Sequence, residues 1–349
     1  WLKAPPPAPS RPGRGAFWAM GAAIAKQLIF PAPEPRPPRA AAPREIVWDE
    51  RPRGTPGGGK SRPFLWLRSQ DALATIIYFH ANGEDLLLCE RHLKWLRERL
   101  KVNVLAVEYP GYGLLRSSSS SDEDAGSTVR GIDQAAVHAL RYVVGEGVTA
   151  AQVLLHGHSI GSGPALRLAK YAQDTFRWSV GGIILQSPFI SISRVAFDYA
   201  GGMGACLIPN YYDNLETLRD LCCEMTGWGC PRIQSADLGE CLGRPWIPLL
   251  ILHGEKDETI APYHGKTLYQ EARSCGHPAV QAAFPNEATH SSFENLDELL
   301  QPMMVFLQCH FGTGHERRAE RAERAVGLSC MARPCQAARR LQACARGKG

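Results

Sequence analysis

Ser159 stands in Gly157-His158-Ser159-Ile160-Gly161, a single hydroxyl between two glycines. Glycine lacks a Cβ, so this spacing suits a turn too tight for flanking side chains, with the serine Oγ projecting from the bend. Such a serine becomes a nucleophile when a base takes its proton, and the base works best when an acid fixes its orientation. Asp257 in "HGEKDETIAP" and His290 in "PNEATHSSFEN" supply these types in the order serine, acid, base, each just after a run with strand character. Glu255 and Glu258 flank the acid as alternatives. Asp257 is preferred because the turn out of "IPLLILHG" brings it to a strand end. His156 and His158 lie nearer in sequence but read as packing or elbow-wall residues. The chemistry expected of such a set is acyl transfer through a serine ester.

An acyl-transfer site also needs N–H donors for the oxyanion of its tetrahedral intermediate. The backbone N–H of Ile160, next after the nucleophile, is one expected donor. The turn in "IIYFHANGEDLLL" offers the second, Asn82 first and Ala81 next. As a plain connection between strand and helix, that turn would carry no such duty.

Elements that can hold these residues follow from the apolar pattern. Short β-branched or leucine-rich runs, "ATIIYF", "VNVLAVEY", "AQVLLHG", "GGIILQS", "IPLLILHG" and "AVQAAF", have the length of buried parallel strands. "EIVWDE" and "PFLWLRSQ" precede them as two strands expected to be antiparallel. Between the runs lie amphipathic segments such as "EDLLLCERHLKWLRERL" and "STVRGIDQAAVHALRYVVGEG". Strand and helix in alternation predict an α/β fold, a mostly parallel sheet flanked by helices, with its ligand site beyond the carboxyl ends of the strands. The stretch from Phe197 to Arg244 breaks the alternation and reads as a cap or insertion over that face. "RSSSSSDEDAGS" reads as a solvated loop, with kinase recognition as its alternative.

The ends differ from this middle. More than half of the 26 prolines precede Phe64, so residues 1–44 form a Pro/Arg-rich segment unable to bury a continuous core. Residues 45–311 are the expected globular domain, with an insertion at about 221–244, and residues 312–349 an Arg/Ala-rich basic tail. The net charge of +5 owes much to the two ends and reads as solvated tails, so no nucleic-acid partner is expected. "AFWAMGAAIAKQLIF" is interrupted by Lys26 and falls short of the ~20 residues of a spanning helix, so no transmembrane segment is expected, and it lacks a signal-peptide pattern. The chain opens on Trp1. Its 11 cysteines are scattered, which points to a reducing, cytoplasmic setting; Cys222, Cys223, Cys230 and Cys241 lack paired ligand spacing, so no metal is expected.

Six stretches in order, "YFHANGEDL", "LAVEYPGYG", "LLHGHSIGSGPALRLA", "LQSPFISISRVAF", "LHGEKDETIAPYHGKTLYQ" and "THSSFENLDELL", resemble the serine hydrolases of the α/β-hydrolase domain-containing protein 17 group. The resemblance spans roughly residues 45 to 311. It implies an α/β-hydrolase fold and removal of palmitate from cysteines of membrane-attached proteins. It also implies peripheral contact with the cytoplasmic membrane face, an S-acylated protein or other acyl ester as partner, and no cofactor. Ser159, Asp257 and His290 match the family's nucleophile, acid and base, and "HANG" its oxyanion turn. Three departures stand out. Ala81 replaces the usual glycine, no cysteine precedes Cys89 where the family carries an N-terminal cysteine cluster, and Leu221 to Arg244 is extra. Other anchors would be myristoylation at Gly21, given a start at Met20, or acylation of Cys330, Cys335 and Cys344. The competing functions are a carboxylesterase, lipase or peptidase of the same fold, and a scaffold without turnover.

Overall fold

The computed structural model describes residues 44–49, 62–116, 128–207, 210–226 and 246–312. The proline-rich start, most of the serine run, Cys230 and Cys241 of the cysteine cluster, the segment 227–245, the tail and every candidate anchor lie outside the described residues.

Among the described residues, eight strands form one sheet in the order β1-β2-β4-β3-β5-β6-β7-β8. They are β1 (Ile46–Asp49), β2 (Arg62–Leu67), β3 (Thr75–Phe79), β4 (Asn103–Val107), β5 (Val153–His158), β6 (Gly182–Gln186), β7 (Leu249–Leu252) and β8 (Val280–Ala283). The β1–β2 and β2–β4 pairings are antiparallel and the rest parallel. β3, β5 and β6 are buried along their whole length, which is why they read as unbroken apolar runs rather than alternating ones.

Strand residues point to alternate faces, and the core divides accordingly. Ile77, Phe79, Leu105, Val107, Leu155, Leu185 and Ile251 pack on one face with α2 (Val129–Gly145), α3 (Ser162–Tyr171), α5 (Asn214–Thr226) and α6 (Tyr263–Ser274). Ile76, Tyr78, Val104, Ala106, Leu154, Ile184 and Leu250 pack on the other with α1 (Leu86–Leu100) and α7 (Gln301–Phe311). α1 shows how the pattern works. Leu86, Cys89, Leu93, Leu96 and Leu100 recur along one buried stripe, and the Asp85 side chain caps the helix by accepting from the Leu88 N–H at 2.8 Å.

Two helices occupy part of the region expected to be a cap or insertion over the active-site face. α4 (Ile192–Leu207) and α5 follow β6, and residues 221–226 of the supposed insertion continue α5. Gly201, at φ 64° and ψ −161°, breaks α4 internally, and this break masks the helical periodicity in the sequence. Among the described residues no helix is long and apolar enough to cross a membrane.

The chain leaves β3 through α1 to reach β4 on one side, then returns through α2 to place β5 on the other side of β3, with Phe79 beside Gly157. The connections after β3 and β5 therefore start from neighbouring strand ends on opposite helical faces. The sheet's winding reverses between these two strands, the place where sheets of this kind bind their ligands.

Candidate active site

The bend at Ser159 is dictated by contact. A Cβ on Gly157 would run into the Gly161 carbonyl, and one on Gly161 into the Phe79 carbonyl. Ser159 itself lies at φ 54°, a left-handed conformation that costs an L-residue about 1–2 kcal/mol. The chain then makes one tight 3-10 turn over Ser159–Gly161 and enters α3.

The buried Ser159 hydroxyl donates to His290 Nε2 at 2.9 Å. His290 Nδ1–H donates to Asp257 at 2.8 Å to Oδ2 and 3.1 Å to Oδ1. The three residues the sequence placed in order are thus brought together from the ends of β5, β7 and β8. The alternative acids are not: Glu255 pairs with Lys266 at 2.7 Å, and Glu258 is exposed.

Asp257 is held by more than His290. The N–H groups of Thr259 and Ile260 donate to Oδ1 at 2.9 and 2.8 Å, and His253 Nε2 lies 3.2 Å from Oδ2. Burial works to raise the carboxyl, but His253, His290 and the Ile260 N–H outweigh it and hold Asp257 well below the usual carboxylate range. It is a fixed anion, suited to orienting an imidazole. His253 was absent from the residues selected in the sequence; its only signal there is the "HGEKD" spacing.

The backbone of His290 is restrained as well. Its carbonyl accepts from the Ser187 hydroxyl at 2.9 Å and from His158 Nε2 at 3.2 Å. His158 is thereby an elbow-wall residue with a specific partner. His156, as expected, is a packing residue: fully buried, 3.2 Å from Gln186 Oε1 and edge-on to Tyr78, it is pushed down to about 3 mainly by burial and so is neutral.

The turn after β3 is held by side chains that bond its carbonyls and the Asn82 side chain. Tyr109 Oη donates to the His80 carbonyl at 2.9 Å while stacking on the His80 ring, and His80 Nδ1–H donates to the Ala81 carbonyl at 2.9 Å. Tyr112 Oη donates to Asn82 Oδ1 at 2.6 Å. One expected donor is committed elsewhere. The Ala81 N–H donates to Glu84 Oε2 at 3.0 Å, so it does not face a substrate, and Asn82 and Ile160 carry the candidate oxyanion donors. Glu84 is a residue the sequence reading passed over. Burial would raise its carboxyl, but His158 at 3.7 Å and the Ala81 N–H bring it to about 2. One carboxylate thus joins the turn after β3 to the elbow after β5.

Comparison with solved structures now fixes the architecture. An esterase of Pyrococcus furiosus superposes with a TM-score of 0.52, covering 80% of this chain and 97% of its own at 15% identity, a likeness of fold. The chain has the α/β-hydrolase fold. In sequence it is 27% identical over 234 residues to α/β-hydrolase domain-containing protein 17C of Xenopus tropicalis, covering 67% of this chain and 61% of that protein. It is also 27% identical over 239 residues to protein 17B of the same frog, covering 68% of each. The chain thus spans about three fifths of the length of the 17C relatives. No protein-family model matches the sequence. In α/β-hydrolase terms the candidate nucleophile lies on the turn from β5 to α3, the acid after β7 and the histidine after β8.

Proposed function

We propose that the chain is a serine hydrolase whose catalytic domain spans residues 45–311 and which cleaves palmitoyl thioesters on protein cysteines at the cytoplasmic face of membranes. The observation that carries the hydrolase reading is the continuous hydrogen-bond line Ser159 Oγ, His290 Nε2, His290 Nδ1, Asp257. The thioester reading rests on the motif resemblance and on the 27% identity to the 17B and 17C hydrolases.

In the proposed reaction Ser159 Oγ attacks the thioester carbonyl as His290 Nε2 takes its proton. Asp257 holds the imidazole in the tautomer that accepts there and stabilises the imidazolium that forms. The N–H groups of Ile160 and Asn82 meet the oxyanion. Collapse of the intermediate expels the cysteine thiolate, which His290 protonates; water, activated by the same base, then releases the fatty acid. With a pKa near ~8.5 a thiol is a better leaving group than an amine, so this step asks less of His290 as an acid.

The test is fluorophosphonate labelling of the purified protein beside a Ser159→Ala variant, followed by turnover of palmitoyl thioesters against short and long oxyesters. Labelling confined to the unaltered protein, with thioesters cleaved faster, is the expected result. Faster oxyester cleavage would make it a carboxylesterase, and absence of labelling from a folded protein would make it a scaffold.

A further inference from the structure

The carbonyl of Ser159 and the N–H of Ile160 belong to one peptide unit, which is planar, so whatever holds the oxygen aims the N–H in the opposite direction. That oxygen accepts from the Ser162 hydroxyl at 2.7 Å as well as from the Ser162 backbone N–H that closes the 3-10 turn, so the hydroxyl is the side-chain restraint on the peptide. Ser162 is fully buried and opens α3. Its hydroxyl is itself held: Asn214 Nδ2 donates to Ser162 Oγ at 3.0 Å and to the Phe189 carbonyl at 2.9 Å. Facing a carbonyl and a hydroxyl, the Asn214 amide nitrogen occupies a lone pair of Ser162 Oγ and leaves its proton the Ser159 carbonyl as partner.

Asn214 is 1% exposed and is the first residue of α5, far from the motifs that mark the chain as a hydrolase. Its approach to the elbow is built into the packing. A Cβ on Gly163 would meet the Tyr212 ring at 2.5 Å, so only glycine lets the chain entering α5 lie this close to α3. The Leu215 N–H donates to the Ile190 carbonyl at 3.1 Å, fixing the start of α5 to the segment after β6.

We propose that Asn214 and Ser162 are positioning residues which, through the Ser159 carbonyl, aim the Ile160 N–H at the reaction's oxyanion. This rests on the serine-hydrolase reading above. Neither residue touches the substrate. Both act on a donor that matters most in the transition state, so their loss lowers kcat and leaves KM nearly unchanged.

The experiment measures kcat and KM for a p-nitrophenyl ester, with the active fraction of each preparation counted by fluorophosphonate titration. The variants are Ser162→Ala, Ser162→Thr, Asn214→Asp and the double variant Ser162→Ala/Asn214→Asp. Ser162→Ala and Asn214→Asp are each expected to lower kcat by about tenfold, less than deletion of an oxyanion donor, because the donor is misaimed and not removed. Ser162→Thr keeps the hydroxyl and restores kcat. Asn214→Asp adds no further loss once Ser162 is alanine, since the asparagine acts through that hydroxyl. Multiplicative losses in the double variant, or losses appearing in KM, overturn the proposal. If Asn214→Asp fails to fold, Ser162→Ala against Ser162→Thr still decides it: equal kcat in those two variants is fatal. A wild type that takes no fluorophosphonate sinks the serine-hydrolase reading and this inference with it. A reactive wild type whose Ser162→Ala variant matches it in kcat overturns this inference alone.

Discussion

Asp257 accepts from the N–H groups of Thr259, Ile260 and His290, with His253 Nε2 3.2 Å away and donating to the Ile260 carbonyl at 2.9 Å. Asparagine would fill the same volume but present an NH2 group to His290, favouring the tautomer whose Nε2 carries the proton and cannot accept from Ser159. Asp257→Asn is expected to lower kcat by about 10⁴ with little change in KM, read in steady-state ester hydrolysis. The depressed carboxyl also has a stability consequence. Its contribution is full above ~3.9, the unfolded value, and is lost as pH falls through the lower folded one. His156 acts at milder acidity. Its folded value of about 3 lies below the ordinary 6.5, so the unfolded chain takes up the proton first and stability drains as pH falls from 6.5 toward 3. Urea unfolding at pH 7 and pH 5 is expected to show a smaller acid-induced loss for His156→Gln than for the wild type, by about 1–2 kcal/mol. Equal losses would show that His156 is not buried and neutral in the folded protein.

At the scale of elements, the junction of β5 with α3 is where packing tolerance is smallest. Gly161 lies against the Phe79 carbonyl, on the strand whose continuation forms the candidate oxyanion turn, so an added methyl drives the elbow and that turn apart. Gly161→Ala is expected to destabilise the fold by about 1–3 kcal/mol and to reduce fluorophosphonate labelling of the folded fraction at least tenfold. Denaturant midpoints beside probe kinetics separate the two effects. The Glu84 carboxylate ties the same junction together, bonding the Ala81 N–H of the turn while facing His158 of the elbow. α4 shows what element-level reading misses. Its internal break at Gly201 interrupts the 3.6-residue rhythm, yet the chain is helical on both sides.

Across the whole molecule, both faces of the sheet are covered by helices from within residues 44–312. The edge strand β1 also belongs to that span, with Ile46 opposite Leu65. A chain trimmed to residues 44–312 is therefore expected to unfold in a single cooperative thermal transition and to keep its fluorophosphonate reactivity. Loss of cooperativity, or of labelling, would show that the ends contribute to the core or the site.

Residue types and local order determined much of this protein. The central strands β3, β5 and β6 were legible because a buried parallel sheet demands continuous apolar runs, and the glycines around Ser159 because only they fit the bend. The order of Ser159, Asp257 and His290 marked the candidate site, and strand ends explain why it was visible: Ser159 follows β5 directly, and Asp257 and His290 lie in the loops that leave β7 and β8. What tertiary structure alone decided is how groups distant in the chain satisfy one another. His158 Nε2 reached the His290 carbonyl across 132 residues, the Ser187 hydroxyl reached the same carbonyl across 103, and Asn214 reached Ser162 across 52. No local pattern encodes such partnerships, because a buried polar group takes whichever partner the packed chain brings within hydrogen-bond distance.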